Sequence, residues 1–115
     1  SWQVNEKGKN AIVELAKVLV QQPDIQIMVE GHTDDVPYKG TGLIKDNWDL
    51  SVMRATAIVR ILANNKGLKA HSITAAGKGP YSPLVENNSS ENRAINRRTE
   101  IILSPNMDKL MELLD

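Results

Sequence analysis

Residues 25–76 run strand, helix, strand, and that order leaves few folds open. "DIQIMVEG" alternates, with Ile25, Ile27 and Val29 to one side and Gln26, Met28 and Glu30 to the other. This predicts a half-buried strand ending near Gly31. "NWDLSVMRATAIVRIL", residues 47–62, repeats Leu50, Ala57, Ile58, Ile61 and Leu62 at helical spacing. "HSITAAG" predicts a short second strand. Two strands joined through a helix pair in parallel, with a right-handed crossover. The rest of the chain fits around this unit. Residues 5–21 carry a helical stripe of Ile12, Leu15, Ala16 and Leu19, closed by Pro23. One helical turn is expected near residues 90–97, a third strand in "RTEIILS", and a short amphipathic helix in "NMDKLMELLD". The expected class is α+β, an α/β sandwich. Its mixed β-sheet holds the βαβ unit plus an additional strand, with helices packed on one face. At 115 residues the expectation is a single domain, 1–115, with a core over about 5–104 and a C-terminal extension over 105–115.

Charge narrows the partners. Fourteen Lys plus Arg balance fourteen Asp plus Glu. A zero net charge argues against nucleic acid or an anionic membrane as the main partner, because both need a basic excess. No stretch approaches the ~20 apolar residues that span a bilayer, and no secretory signal is visible. Any membrane link is expected through a parent segment outside this stretch. The absence of cysteine excludes a disulfide framework, thiol catalysis and cysteine zinc sites. With no Phe, the core must come from Leu, Ile, Val and Ala.

In a βαβ unit the strand end and the next helix start meet at one edge, where ligands of α/β sheets bind. Here that edge holds His32, Thr33, Asp34 and Asp35, then a long polar loop, then Asn47, read as the helix N-cap. Arg54 falls between Leu50 and Ile58, inside the apolar stripe. Either it snorkels outward, or it has a partner. The candidate partner is Asp34 across the edge, with a bound carboxylate as the second. Such a set suits a small zwitterion: aspartate takes an ammonium, and the arginine fork and helix N–H groups take a carboxylate. Asp34 and Asp35 also read as ordinary turn residues. "HTDD" invites a metal, but one His beside two neighbouring carboxylates is a weak donor set. His71 reads as a solvated or capping residue, and Trp48 as an anchor over the long loop, with ligand stacking as the lesser reading. Arg97 and Arg98 abut the third strand and could reach a ligand carboxylate. Nucleophilic catalysis is poorly supported, since neither histidine sits in a serine-hydrolase motif.

In chain order, "VEGHTDD", "NWDLSVMRA", "AAGKGPYSP" and "ENRAINRRTEIIL" resemble the motifs of the OmpA-like C-terminal domain, over about residues 5–104. The wording "HTDDVPY…NWDLS" looks closest to the MotB branch, the wall-anchoring half of flagellar stators. Related domains occur on outer-membrane porins and lipoproteins. The resemblance implies an OmpA-like sandwich and the periplasmic domain of a cell-envelope protein, anchored in the inner or outer membrane. It also implies non-catalytic binding of peptidoglycan through the diaminopimelate of the stem peptide, with no cofactor and no metal. The ligand-binding residues it points to are Thr33, Asp34, Asn47, Arg54 and Arg97. Asp34 and Arg54 would grip the ammonium and carboxylate ends. Asp35, Leu50, Ser51 and Arg98 are secondary candidates, and a homodimer is a coexisting expectation. The rival reading is a peptidoglycan-processing or metal-dependent enzyme using His32, Asp34 and Asp35. The chain departs from the family pattern at Glu91-Asn92-Arg93, where Glu-Gly-Arg is usual, and Asn is expected to hold a left-handed backbone there. The family's first strand is expected to be absent or truncated before Ser1, leaving a sheet edge altered or closed by a partner chain.

Overall fold

The computed structural model describes residues 2–40 and 42–114. Helix α1 spans Glu6–Leu19, strand β1 Ile25–Gly31 and helix α2 Asn47–Ala63. A single 3₁₀ turn, Ala70–Ser72, leads into β2, Ile73–Gly77. Helix α3 (Ser90–Asn96), strand β3 (Thr99–Pro105) and helix α4 (Met107–Leu114) follow. The sheet order is β2-β1-β3, with β1 parallel to β2 and antiparallel to β3. The βαβ crossover and the mixed sheet are therefore as expected.

Local chemistry sets the helix starts. Asn5 caps α1, its side chain accepting from the Gly8 N–H at 2.8 Å. Asp46 caps α2, accepting from the Asp49 N–H at 2.9 Å, while Asp49 reaches back to the Lys45 N–H at 2.9 Å. The cap expected at Asn47 thus lies one residue earlier, and Asn47 is the first helical residue. Asp46 prevails because its backbone is extended and its carboxylate reaches the third N–H. Ser89 caps α3. Asn92 lies inside α3, and among the described residues every positive φ belongs to glycine. The left-handed Asn92 expected from the family pattern is thereby corrected: helix continuation leaves no turn there.

The core joins Ala16 and Leu19 of α1, Ile27 and Val29 of β1, and Ala55 and Leu62 of α2. Burying a side chain such as Leu62 or Val29 contributes about 1.5–3 kcal/mol. The opposite sheet face carries Met28 and Ile102, both partly exposed. The face of α2 against the sheet is rotated from the sequence stripe. Ser51 and Ala55 are fully buried, whereas Ala57 and Ile61 are only half-buried. The cause is beneath them. A Cβ on Gly31 would overlap the Ser51 carbonyl oxygen, and one on Gly77 would lie 2.8 Å from the Val52 nitrogen. Backbone meets backbone there, so small residues occupy the contact. Asn96, fully buried, ties the loop ahead of α3 to its end. Its side chain accepts from the Leu84 and Val85 N–H groups at 2.9 and 3.2 Å and donates to the Val85 carbonyl at 2.9 Å.

Helix α4 exposes Met107, Met111 and Leu114. Asp115, the last residue of the expected terminal helix, lies outside the described residues. Among the described residues no helix is long and apolar enough to cross a membrane.

Candidate functional site

Past Gly31 the chain stays tied to the sheet. The His32 N–H donates to the Arg98 carbonyl at 2.8 Å, and the Thr33 N–H to the Gly79 carbonyl at 3.0 Å. The next residue, Asp34, is therefore held rigidly at the sheet end, and it is 8% exposed. Its Oδ1 accepts from the Val36 N–H at 3.0 Å, and its Oδ2 accepts from the Arg97 guanidinium at 2.7 Å. The Thr33 hydroxyl donates to the Asp34 carbonyl at 2.9 Å. The Asn47 amide donates to the Val36 carbonyl at 3.1 Å and pins the loop to the start of α2. A cleft of about 410 Å³ opens between these elements. Thr33, Asp34, Asn47, Leu50, Arg54 and Arg97 all line it, together with Tyr38, Ser90 and Arg93.

Arg54 does not pair with Asp34, which corrects the expected partner. Antiparallel pairing places Gly31 opposite Thr99, so Arg97 arrives beside Asp34 from β3 and takes its carboxylate. Arg54 has no carboxylate within 4.0 Å among the described residues, and its buried Nε has no hydrogen-bond partner. Burial first, and then the charge of Arg97, push its guanidinium below the ordinary range, against the pull of Asp34. An arginine nonetheless stays cationic at neutral pH. An unpartnered buried donor costs about 1–3 kcal/mol, so this one is poised to gain from an anion.

The secondary candidates divide. Leu50 lines the cleft. Asp35 faces outward to Arg93, with Nε to Oδ1 at 3.0 Å. Ser51 is fully buried, donating to the Trp48 carbonyl at 2.8 Å and accepting from the Gly79 N–H at 3.0 Å, so it braces the cleft from beneath. Arg98 turns away from the cleft to Glu100, at 2.6 Å, and to the Ser82 carbonyl, at 3.0 Å. Arg93 is the charged cleft residue that sequence reasoning passed over, along with Tyr38 and Ser90; for Arg93 a signal existed. The available signal was its spacing four residues before Arg97, which puts both on one side of a helical turn.

The donor set His32, Asp34, Asp35 does not assemble: Asp34 turns to Arg97 and Asp35 to Arg93, whereas His32 stays with Glu30 on the opposite sheet face. There its Nε2 lies 3.3 Å from Glu30 and 3.8 Å from Glu100. Glu30, His32 and Glu100 form the one three-donor group among the described residues. Arg98 already supplies positive charge to it. Burial, and then Arg98, push His32 below its ordinary value, against the Glu30 hydrogen bond. The Arg98 hydrogen bond holds Glu100 below the usual carboxylate value. For both groups the unfolded chain binds the proton more readily, so stability rises with pH. The melting temperature should therefore be flat above about pH 6.5. It should fall as the pH drops through that value, and further below pH 4.5 as Glu100 protonates. Calorimetry on the wild type and on Glu100→Gln, which should flatten the lower limb, checks this. A melting temperature that rises between pH 7 and 5 would contradict it.

The family model described as "OmpA family" matches residues 1–97. Motility protein B of Bacillus subtilis is 39% identical over 92 residues, which is 80% of this chain and 35% of that protein. The chain thus spans about a third of that relative's length. The C-terminal domain of Helicobacter pylori MotB superposes with a TM-score of 0.83 at 29% identity, covering 100% of this chain and 89% of that one. The peptidoglycan-associated lipoprotein of Burkholderia pseudomallei gives a TM-score of 0.76 at 25% identity, covering 90% and 83%. The family match takes in every residue that lines the charged cleft, and the chain belongs to the OmpA family.

Proposed function

We propose that this is a non-catalytic, periplasmic peptidoglycan-binding domain that anchors a membrane protein to the cell wall. Its cleft holds the diaminopimelate residue of the stem peptide. One observation carries the ligand assignment: Arg54, with a buried and unpartnered Nε, opens onto the same cleft as Arg97 and Asp34. A ligand carboxylate placed between Arg54 and Arg97 satisfies that donor and relieves the repulsion of the two cations. The matching ammonium sits at Asp34, whose oxygens each keep a free lone pair. The side chain of diaminopimelate ends in this ammonium–carboxylate pair. Relatives support the wall itself as partner, one being named a peptidoglycan-associated lipoprotein and another studied as the periplasmic domain of MotB. Binding is favoured over catalysis because no histidine lines the cleft and the Thr33 hydroxyl is donated to a carbonyl rather than to a base.

The test compares two soluble stem tripeptides, one ending in meso-diaminopimelate and one in lysine, which lacks the side-chain carboxylate. Calorimetric titration should show the diaminopimelate peptide binding at least about tenfold tighter, the worth of one charge-assisted hydrogen bond. Equal affinities would overturn the diaminopimelate assignment. Failure of the domain to bind either peptide or intact sacculi would overturn the peptidoglycan reading.

A further inference from the structure

The face of the sheet turned away from the cleft carries a repulsive pair. Glu30 and Glu100 are direct partners across β1 and β3, and like charges set opposite one another destabilise a sheet. Arg98 offsets one of them, its Nε donating to Glu100 at 2.6 Å. Glu30, with its side chain only 14% exposed, has no Lys or Arg within 4.0 Å among the described residues. What faces it is His32, whose side chain is 3% exposed. The His32 Nδ1 is buried without a partner, so Nε2 is the ring's one route to the surrounding charge. Nε2 lies 3.3 Å from Glu30 Oε1 and 3.8 Å from Glu100 Oε2. Both contacts are long for an N–H···O hydrogen bond, whose usual length is about 2.9 Å.

We propose that Glu30, His32 and Glu100 bind a divalent transition-metal ion, with zinc the best fit. Two bonds of about 2.0–2.2 Å at a tetrahedral angle set ligand atoms about 3.3–3.6 Å apart. The His32–Glu30 contact already has that length, and the three donor atoms all lie within 4.8 Å of one another. Glu100, with its side chain 41% exposed, has room to rotate and close the remaining gap. Imidazole with two carboxylates suits zinc, whereas calcium and magnesium prefer oxygen alone. Arg98 is compatible with the ion, because a carboxylate has a second oxygen and metal-binding carboxylates accept further hydrogen bonds. Its other anchor, the Ser82 carbonyl at 3.0 Å, stays in place. Solvent at Glu100 supplies an entry path and a water for the fourth position. The ion would clamp β1 to β3 in the register that brings Arg97 to Asp34. It touches nothing in the cleft, so the site stands independently of the peptidoglycan reading. The rival occupant is a proton on His32, which would balance the same carboxylates without a metal.

The experiment titrates zinc, and separately calcium, into the chelator-stripped domain at neutral pH. Calorimetry should show one zinc per domain. The melting temperature should rise by about 5–10 °C at a hundredfold excess of zinc over its Kd. Calcium should do neither. Zinc should move the His32 Nε2 resonance and leave the ring of His71 unchanged. Glu100→Gln keeps an acceptor for Arg98 and should weaken zinc at least about tenfold. Glu30→Gln should do the same, and serves if Glu100→Gln fails to fold by circular dichroism. His71→Ala, changing the other histidine, should leave zinc affinity within about twofold. Binding weaker than about 1 mM would overturn the site. So would an unmoved His32 resonance, or undiminished affinity in the folded glutamate variants, and either result would leave the proton as the balancing charge.

Discussion

Arg54→Ala abolishes co-sedimentation with diaminopimelate-type sacculi while the domain stays folded. Loss of one arginine facing a desolvated carboxylate costs about 2–5 kcal/mol, or roughly 30- to 5000-fold in affinity. The fold survives because of how Arg54 is held. Breaking a buried ion pair by removing one partner costs about 3–5 kcal/mol. Arg54 belongs to no such pair among the described residues, since Asp34 is neutralised by Arg97. Its removal eliminates an unpartnered buried donor and relieves its repulsion with Arg97, offsetting the packing lost along its aliphatic stem. The melting temperature should therefore shift by only a few degrees. Asp34→Ala should do the opposite, stripping the Val36 N–H and leaving Arg97 beside Arg54 without a counter-charge. Sedimentation with purified sacculi, paired with thermal melts of both variants, checks the contrast. Full binding by Arg54→Ala would remove it from the site, and cooperative unfolding would make it a structural residue instead.

Gly31→Ala should destabilise the domain by more than about 3 kcal/mol, the upper range for overpacking. The added methyl would overlap the Ser51 carbonyl oxygen, and backbone cannot rotate aside as a side chain can. Helix α2 has no room to retreat along the sheet, because Gly77 makes the neighbouring close approach to Ser51 and Val52. For a domain of this size, 3 kcal/mol corresponds to a fall of about 10 °C or more in melting temperature. Gly42→Ala is the control. Gly42 has a φ of +75°, yet nothing lies within 4 Å of its added carbon, so backbone strain of about 1–2 kcal/mol is its whole cost. Urea titrations of the two variants separate a collision from strain. Equal losses would mean that α2 yields and that the close approach is not limiting.

Most of the architecture was legible because it rests on local signals. Period-two alternation in "DIQIMVEG" and helical spacing in "NWDLSVMRATAIVRIL" are written within a few residues of each other, and β1 and α2 appear where those patterns lie. The edge carrying Thr33, Asp34 and Asn47 follows from that order alone. The face of α2 was less legible. A hydrophobicity pattern ranks Ile61 above Ser51, whereas the sheet selects for size: it presents Gly31 and Gly77, and only small residues fit. The cap at Asp46 instead of Asn47 turned on a single backbone angle between two equally good capping residues.

The partners of the charges lay beyond any local pattern. By itself the sequence determined that a strand–helix edge would gather an aspartate, an asparagine and an arginine. The tertiary structure decided which charges touch. The register of β3 against β1, Gly31 opposite Thr99, delivers Arg97 to Asp34 across 63 residues of chain. It also sets Glu100 beside His32, which the path of its own strand already places next to Glu30 on the far face of the sheet. A one-residue slip would reverse both outcomes, because side chains alternate across a strand. Register is set by non-local hydrogen bonds and by burial of one sheet face, neither of which is written near Arg54. Through that register Arg54, a charge on an apolar stripe, becomes the cleft cation with no carboxylate partner among the described residues.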